Sequence, residues 1–103
     1  MMEKQKWAFI VMNQGYDPKT QQARFDTDLR EGHIRTVRDP REAVELAKTL
    51  ADEGFGAIEV CGAFGPKLAR EMYEATGCRV PVSYVVAAED QLEQVMAFWT
   101  KHN

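Results

Sequence analysis

Short apolar runs alternate with amphipathic helical segments along this sequence, and that alternation constrains the fold more than any other feature. Three runs are typical of buried strands, at 6–12, 57–61 and 80–87, and the run 57–61 is expected to be buried on both faces. Apolar residues recur at helical spacing in the segments 40–53, 66–76 and 88–101. Alternating strands and helices predict a mostly parallel sheet joined by right-handed crossovers.

Proline and glycine mark the ends of the first two predicted helices. Asp39 is suited to cap a helix that begins at Pro40, and Gly54 is suited to end it. Pro66 and Gly77 bracket the second helix in the same way. The third helix is predicted to bury a stripe at helical spacing, made of Leu92, Val95, Met96 and Trp99.

The region before the first helix is less regular. Residues 23–27 alternate in polarity and predict a short edge strand, and residues 33–38 predict a second strand that pairs with it. We therefore expect one α/β domain, 1–103, with a small, mostly parallel sheet of four to five strands, three helices, and two or three layers. A ferredoxin-like α+β arrangement is the alternative.

Composition excludes several classes of function. The net charge is −3 without a basic block, which predicts neither nucleic acid nor an anionic membrane as a partner. No apolar run approaches the roughly 20 residues that span a bilayer, and the amino terminus lacks signal-peptide features, so we expect a cytoplasmic protein. His33, His102, Cys61 and Cys78 show no metal-ligand spacing, and nothing indicates a cofactor.

The segment 57–66 is the candidate ligand site. It is predicted to be a strand, then a glycine-rich turn, then a helix start at Pro66. Unpaired N–H groups and a partial positive charge at a helix start favour a phosphate or carboxylate. The candidate ligand-binding residues of the turn are Gly62, Ala63, Phe64 and Gly65. The alternative is a tight turn whose glycines serve packing alone.

Two tyrosines complete the predicted ligand site. Tyr16 follows the carboxyl end of the first strand, where ligand-contacting loops lie in open α/β sheets. Tyr84 lies in the last strand, where its hydroxyl could reach a pocket or its ring could pack. The neighbouring Asp17-Pro18 pair is interpreted as shaping a turn, and His33 as a structural histidine.

Glu59 and Cys61 are the candidate catalytic residues. A carboxylate within a buried strand is costly unless it is paired, and burial favours the neutral form that a general acid uses. The alternatives for Glu59 are an ion pair with Arg35 or Arg79, or a position facing solvent or a subunit interface. Cys61 is predicted on the same strand face near a helix start, which favours the nucleophilic thiolate. The alternative is a small buried hydrophobic residue.

The pattern as a whole resembles a family of small bacterial and archaeal proteins known only as a domain of unknown function. The similarity lies in residues 7–11, 43–48, 52–54, 58–66 and 79–82. Its most specific part is the Glu-x-Cys-Gly-x-Phe-Gly-Pro block, whereas residues 13–38 match less well. The resemblance implies a compact α/β protein and assigns no activity, substrate or catalytic residue.

Two functions follow from these observations. The first is binding of a small anionic metabolite at the turn of 57–66, with or without a reaction. The second is a non-catalytic homo-oligomeric interaction module, indicated by small size and by apolar side chains such as Phe64, Phe98 and Trp99. Self-association is expected under either function.

Overall fold

Five strands form one sheet in the computed structural model, which describes residues 4–100. The order across the sheet is β2-β3-β1-β4-β5. β2 is antiparallel to β3, and the other neighbours are parallel. The strands are β1 (Gln5–Met12), β2 (Ala23–Asp26), β3 (Arg30–Val37), β4 (Ala57–Val60) and β5 (Val82–Tyr84). This confirms the predicted small, mostly parallel α/β fold rather than the ferredoxin-like alternative.

Three α-helices accompany the sheet, and the first two pack against each other over one of its faces. They are α1 (Pro40–Asp52), α2 (Gly65–Ala75) and α3 (Leu92–Thr100), the last preceded by a 3₁₀ turn at Glu89–Gln91. The sheet and the α1–α2 pair make two layers. None of the helices within residues 4–100 has the length and apolar character needed to cross a bilayer. Residue 101, the predicted end of α3, lies outside the described range.

Local signals set the ends of α1 as predicted. The Asp39 carboxylate accepts a hydrogen bond from the Glu42 backbone N–H at 2.9 Å. The Glu42 carboxylate in turn accepts from the Arg38 N–H at 2.8 Å, one residue before the N-cap. At the other end, Gly54 adopts a φ of +89°, the left-handed conformation that glycine accommodates without strain.

The core lies between the sheet and the two packed helices. Its fully buried side chains include Ile10 of β1, Ile58 of β4, Leu50 of α1 and Met72 of α2. The inward stripes predicted for α1 and α2 are confirmed by this packing. At the end of α2, Thr76 is fully buried and Tyr73 is half-buried.

The prediction that β4 is buried on both faces is wrong. Ile58 and Val60 face the helices with at most 1% exposure, whereas Glu59 between them is exposed on the other face. The reason is topological: the chain moves across the sheet in one direction from β3 to β4 to β5. Right-handed crossovers running the same way place both helices on the same side.

The predicted burial of the α3 stripe is also wrong within this chain. Leu92, Val95, Met96 and Trp99 are exposed by 49%, 37%, 56% and 72%. The helix packs mainly against the preceding 3₁₀ turn. β5 is also shorter than the predicted strand 80–87, because its pairing with β4 is confined to three residues. After the Val85 N–H donates to the Val60 carbonyl, the chain leaves the sheet.

Candidate functional site

The turn between β4 and α2 occupies the carboxyl edge of the sheet. The Phe64 N–H donates to the Cys61 carbonyl at 3.1 Å, and Gly65 then reverses the chain with a φ of +71°. Phe64, at the N-cap position of α2, makes no side-chain capping hydrogen bond. The first turn of α2 therefore lacks the side-chain acceptor that Asp39 supplies to α1.

The two glycines of this turn serve different local purposes. A Cβ on Gly62 would lie 3.2 Å from the Val85 carbonyl oxygen, so glycine allows the chain after β5 to approach closely. A Cβ on Gly65 would meet nothing within 4 Å, and glycine is favoured there by the left-handed φ alone. The packing interpretation thus accounts for Gly62, while Gly65 leaves open space beside the α2 start.

The two candidate catalytic residues have different surroundings. Glu59 is exposed in the middle of β4, in register with Phe9 and Ser83, and makes no ion pair with any residue in 4–100. Of the alternatives for Glu59, the exposed position that faces solvent or a subunit interface is the one observed, and the ion pair with Arg35 or Arg79 does not form within residues 4–100. Cys61 follows the last β4 residue and packs, half-buried, against the core. Neither residue is held by a hydrogen-bonded partner that would activate it within the described chain.

The remaining predicted ligand-binding residues are distributed over several environments. Phe64 is only 6% exposed and belongs to the core, whereas Ala63 beside it is exposed. Tyr84 is 41% exposed and lies in register with Val60, on the helix-covered side of β5. Tyr16 is half-buried in the loop after β1, where its N–H donates to the Asn13 carbonyl at 3.1 Å.

Asp17 and His33 have the structural roles that were inferred for them. The Asp17 carboxylate accepts from the Lys19 N–H and the Thr20 hydroxyl, both at 3.0 Å, and so closes its own turn. His33 Nε2 lies 2.8 Å from a Glu31 carboxylate oxygen. This hydrogen bond, together with nearby positive charge, lowers the pKa of Glu31 below its ordinary value.

The loops that leave β1 and β4 diverge at the carboxyl edge. The two strands are neighbours, and the Cys61 N–H donates to the Ile10 carbonyl at 3.2 Å as they end. The connection after β1 leads toward β2 and β3, whereas the connection after β4 leads to α2 and β5. In open α/β sheets, ligands bind in the crevice that such diverging loops leave.

The structure also forms a cleft that the sequence did not indicate. It encloses about 600 Å³ beside β3 and α1, and residues 62–65 are not among its lining. Arg35, half-buried in its wall, makes no ion pair or side-chain hydrogen bond with any residue of the described chain. Of the three acidic residues in the lining, Glu42 is paired with Arg38 and Glu45 with Arg41, and the Asp17 carboxylate accepts hydrogen bonds within its own turn. Arg35 is therefore a charge in the cleft without a counter-ion among residues 4–100.

The pairing inside this cleft has a measurable electrostatic consequence. Hydrogen bonds from Arg38, from both its guanidinium and its backbone N–H, hold the pKa of the Glu42 carboxyl below its ordinary range. The same contact raises the pKa of Arg38.

A second, smaller cleft of about 330 Å³ lies at the opposite edge of the sheet, between Lys4 and Ala57.

No metal-binding cluster of His, Cys, Asp or Glu occurs among residues 4–100, and His102 lies outside that range. Both cysteines are free.

Among known proteins, neither a curated protein nor a solved structure matches this chain. One family model matches residues 5–100, which include every strand and helix described above. The chain therefore belongs to the family of unknown function DUF6506.

Proposed function

We propose that this protein binds a small anionic metabolite at the carboxyl edge of its sheet, beside the turn that begins α2. The observation that carries the proposal is the divergence of the loops after β1 and β4. This divergence defines the topological switch point at which open α/β sheets hold their ligands.

The chemistry of the α2 start favours an anion at that place. The helix dipole and the N–H groups of its first turn attract negative charge, and no side-chain cap competes for them at Phe64. Ala63 is exposed and Gly65 leaves room beside its backbone, so a phosphate or carboxylate can approach the main chain. Glu59 and Cys61 remain the candidate groups for a reaction, which the proposal does not require.

Thermal unfolding with inorganic phosphate, then with phosphorylated and carboxylated metabolites, tests the proposal. A ligand at 100 times its Kd adds about 2.7 kcal/mol of stability, which raises the Tm of a domain this size by roughly 10–20 °C. Gly65→Asp places a negative charge at the α2 start and should abolish the shift. Gly65→Asn is the matched control, because it has the same shape and backbone cost without the charge.

The cleft beside α1 supplies the competing location for an anion. Arg35→Gln removes its uncompensated charge and leaves the turn unchanged. If the ligand-induced rise in Tm persists in Gly65→Asp and disappears in Arg35→Gln, the ligand binds in the cleft, and the proposed site is refuted. If neither phosphate nor any of the metabolites raises the Tm of wild type or of Gly65→Asn, anion binding is refuted.

The second candidate function is self-association, and exposed apolar side chains favour it. Large hydrophobic residues are exposed on β2 and β3 and over most of α3, including Phe25, Ile34 and Trp99. Phe64, one of the residues predicted at an interface, is buried in its own core, so the contact surface lies elsewhere. Sedimentation equilibrium tests this function: a monomer at all concentrations up to the millimolar range would refute it.

A further inference from the structure

One face of the sheet carries an apolar patch that no helix of the described chain covers. Register places Trp7 and Phe9 of β1, Ile34 of β3 and Phe25 of β2 on the side opposite α1 and α2. Ile34 is 38% exposed and Phe25 is 61% exposed. Trp7 lies flat over Gly32, where a Cβ would come within 2.9 Å of the indole. These residues are named the open face.

α3 carries a second apolar surface of matching character. At 100° per residue, its large hydrophobic side chains fall on one side, and the polar side holds Glu93, Ala97 and Thr100. All of the hydrophobic side chains are at least 37% exposed, and Phe98 and Trp99 reach 65% and 72%. The apolar side, named the α3 face, consists of Leu92, Val95, Met96, Phe98 and Trp99.

We propose that the α3 face of one chain covers the open face of a second copy, and that the second copy returns the same contact. The inference rests on the self-association named above as the second candidate function. It specifies the partner as an identical chain and the contact as helix on sheet. Two such contacts related by a two-fold axis close into a dimer, because each chain supplies one helix and one sheet.

The position of α3 favours a second copy over the chain's own sheet. The molecule measures 48 × 28 × 27 Å, and α3 follows β5, at the edge of the sheet. The open face lies on β1, β3 and β2, which at about 4.8 Å per strand places it roughly 10–19 Å from β5. The segment that joins β5 to α3 is short. Even so, the apolar side chains of α3 stay exposed instead of packing on the sheet of the same chain.

The available area is sufficient for a stable dimer. A fully covered aromatic side chain buries roughly 150–250 Å², so the α3 face offers on the order of 400 Å² once its aliphatic members are included. Each contact covers a similar area on the sheet, and two contacts then bury about 1,600 Å², the size of a standard stable interface.

The test uses sedimentation equilibrium of the full chain and two charged variants. Met96→Asp places a charge in the centre of the α3 face, and Ile34→Lys places the opposite charge on the open face. Each should weaken dimerisation by at least about 30-fold, as loss of a central interface contact does. Ala97→Asp is the matched control, since it adds the same charge on the polar side of α3 and should leave the dimer intact.

Mixing the two variants distinguishes this contact from other dimers. A mixed dimer of Met96→Asp and Ile34→Lys has one unaltered contact and one in which the new charges attract, so mixing should restore association. This recovery also shows that both variants are folded, which circular dichroism checks independently.

Three results would overturn the inference. A wild-type monomer would refute both the contact and self-association. A dimer that persists in either variant would be consistent with self-association and would refute helix-on-sheet docking. Persistence in Ile34→Lys would indicate helix–helix packing, and persistence in Met96→Asp would indicate sheet–sheet packing. Two monomeric, folded variants that do not associate on mixing would refute the reciprocal arrangement.

Discussion

The connection between α2 and β5 depends on one buried hydroxyl group, that of Thr76. The side chain is fully buried where α2 ends. Its hydroxyl donates to the Tyr73 carbonyl at 2.6 Å. The same oxygen accepts from the Val80 N–H at 3.2 Å and from the Arg79 N–H at 3.3 Å. One hydroxyl thereby fixes the path of the chain from the helix into the last strand.

Thr76→Val removes this hydroxyl at nearly constant volume. The buried Val80 N–H then loses its acceptor, which costs about 1–3 kcal/mol, and loss of the half-buried Arg79 bond adds about 0.5–1.5 kcal/mol. We expect the free energy of unfolding to fall by about 2–4 kcal/mol. Thr76→Ser is the matched control, because it keeps the hydroxyl and removes one buried methyl group, at about 1 kcal/mol.

Urea unfolding and thermal unfolding, each followed by circular dichroism, measure both variants. The expected Tm decrease is roughly 10–25 °C for Thr76→Val and 4–8 °C for Thr76→Ser, with the urea m-value unchanged. If Thr76→Val is as stable as wild type, or more stable than Thr76→Ser, then packing rather than the hydroxyl fixes this connection.

Three further predictions concern stability. Gly54→Ala should lower the free energy of unfolding by about 1 kcal/mol, because a φ of +89° strains any side chain. Gly56→Ala, the control, should keep the free energy of unfolding within about 0.5 kcal/mol of wild type. Equal losses of the two variants in urea unfolding would show that the backbone conformation of Gly54 is not the cause. Leu50→Ala should lose about 2–5 kcal/mol, since this residue is fully buried, and a loss below 1 kcal/mol would show that the core relaxes around it. The pKa of Glu31 is lowered in the folded chain, so its stabilising contribution is present above the ordinary value of 4.5 and is lost as the pH falls through the lower folded value. Unfolding curves of wild type and Glu31→Gln should therefore converge on acidification, and a gap that stays constant from pH 6 to pH 3 would refute the assignment.

The elements that the sequence predicted well are those set by local chemistry. α1 could be placed within a residue or so because Asp39, Pro40 and Gly54 act within a single turn of the helix. The inward stripes of α1 and α2 follow from helical periodicity alone. The order of strand and helix along the chain was enough to predict a mostly parallel sheet.

The features that the sequence did not predict depend on distant parts of the chain. Whether β4 is covered on one face or two depends on the order of strands, although Glu59 between Ile58 and Val60 was a signal of one covered face. Periodicity indicated that α3 needs an apolar partner, and it could not show that residues 4–100 leave the helix uncovered. The cleft at Arg35 requires the loop after β1, the end of β3 and one side of α1 to meet, which no local pattern encodes.

The central place of β1 has a consequence for synthesis of the protein. β1 leaves the ribosome before both of its neighbours in the sheet, because β3 and β4 come later in the chain. At 5–20 residues per second, the roughly fifty residues that separate the end of β1 from the end of β4 take about 2–10 s to translate. Throughout that time the nascent chain presents an apolar strand with at least one unpaired edge, a feature that makes folding intermediates prone to aggregation.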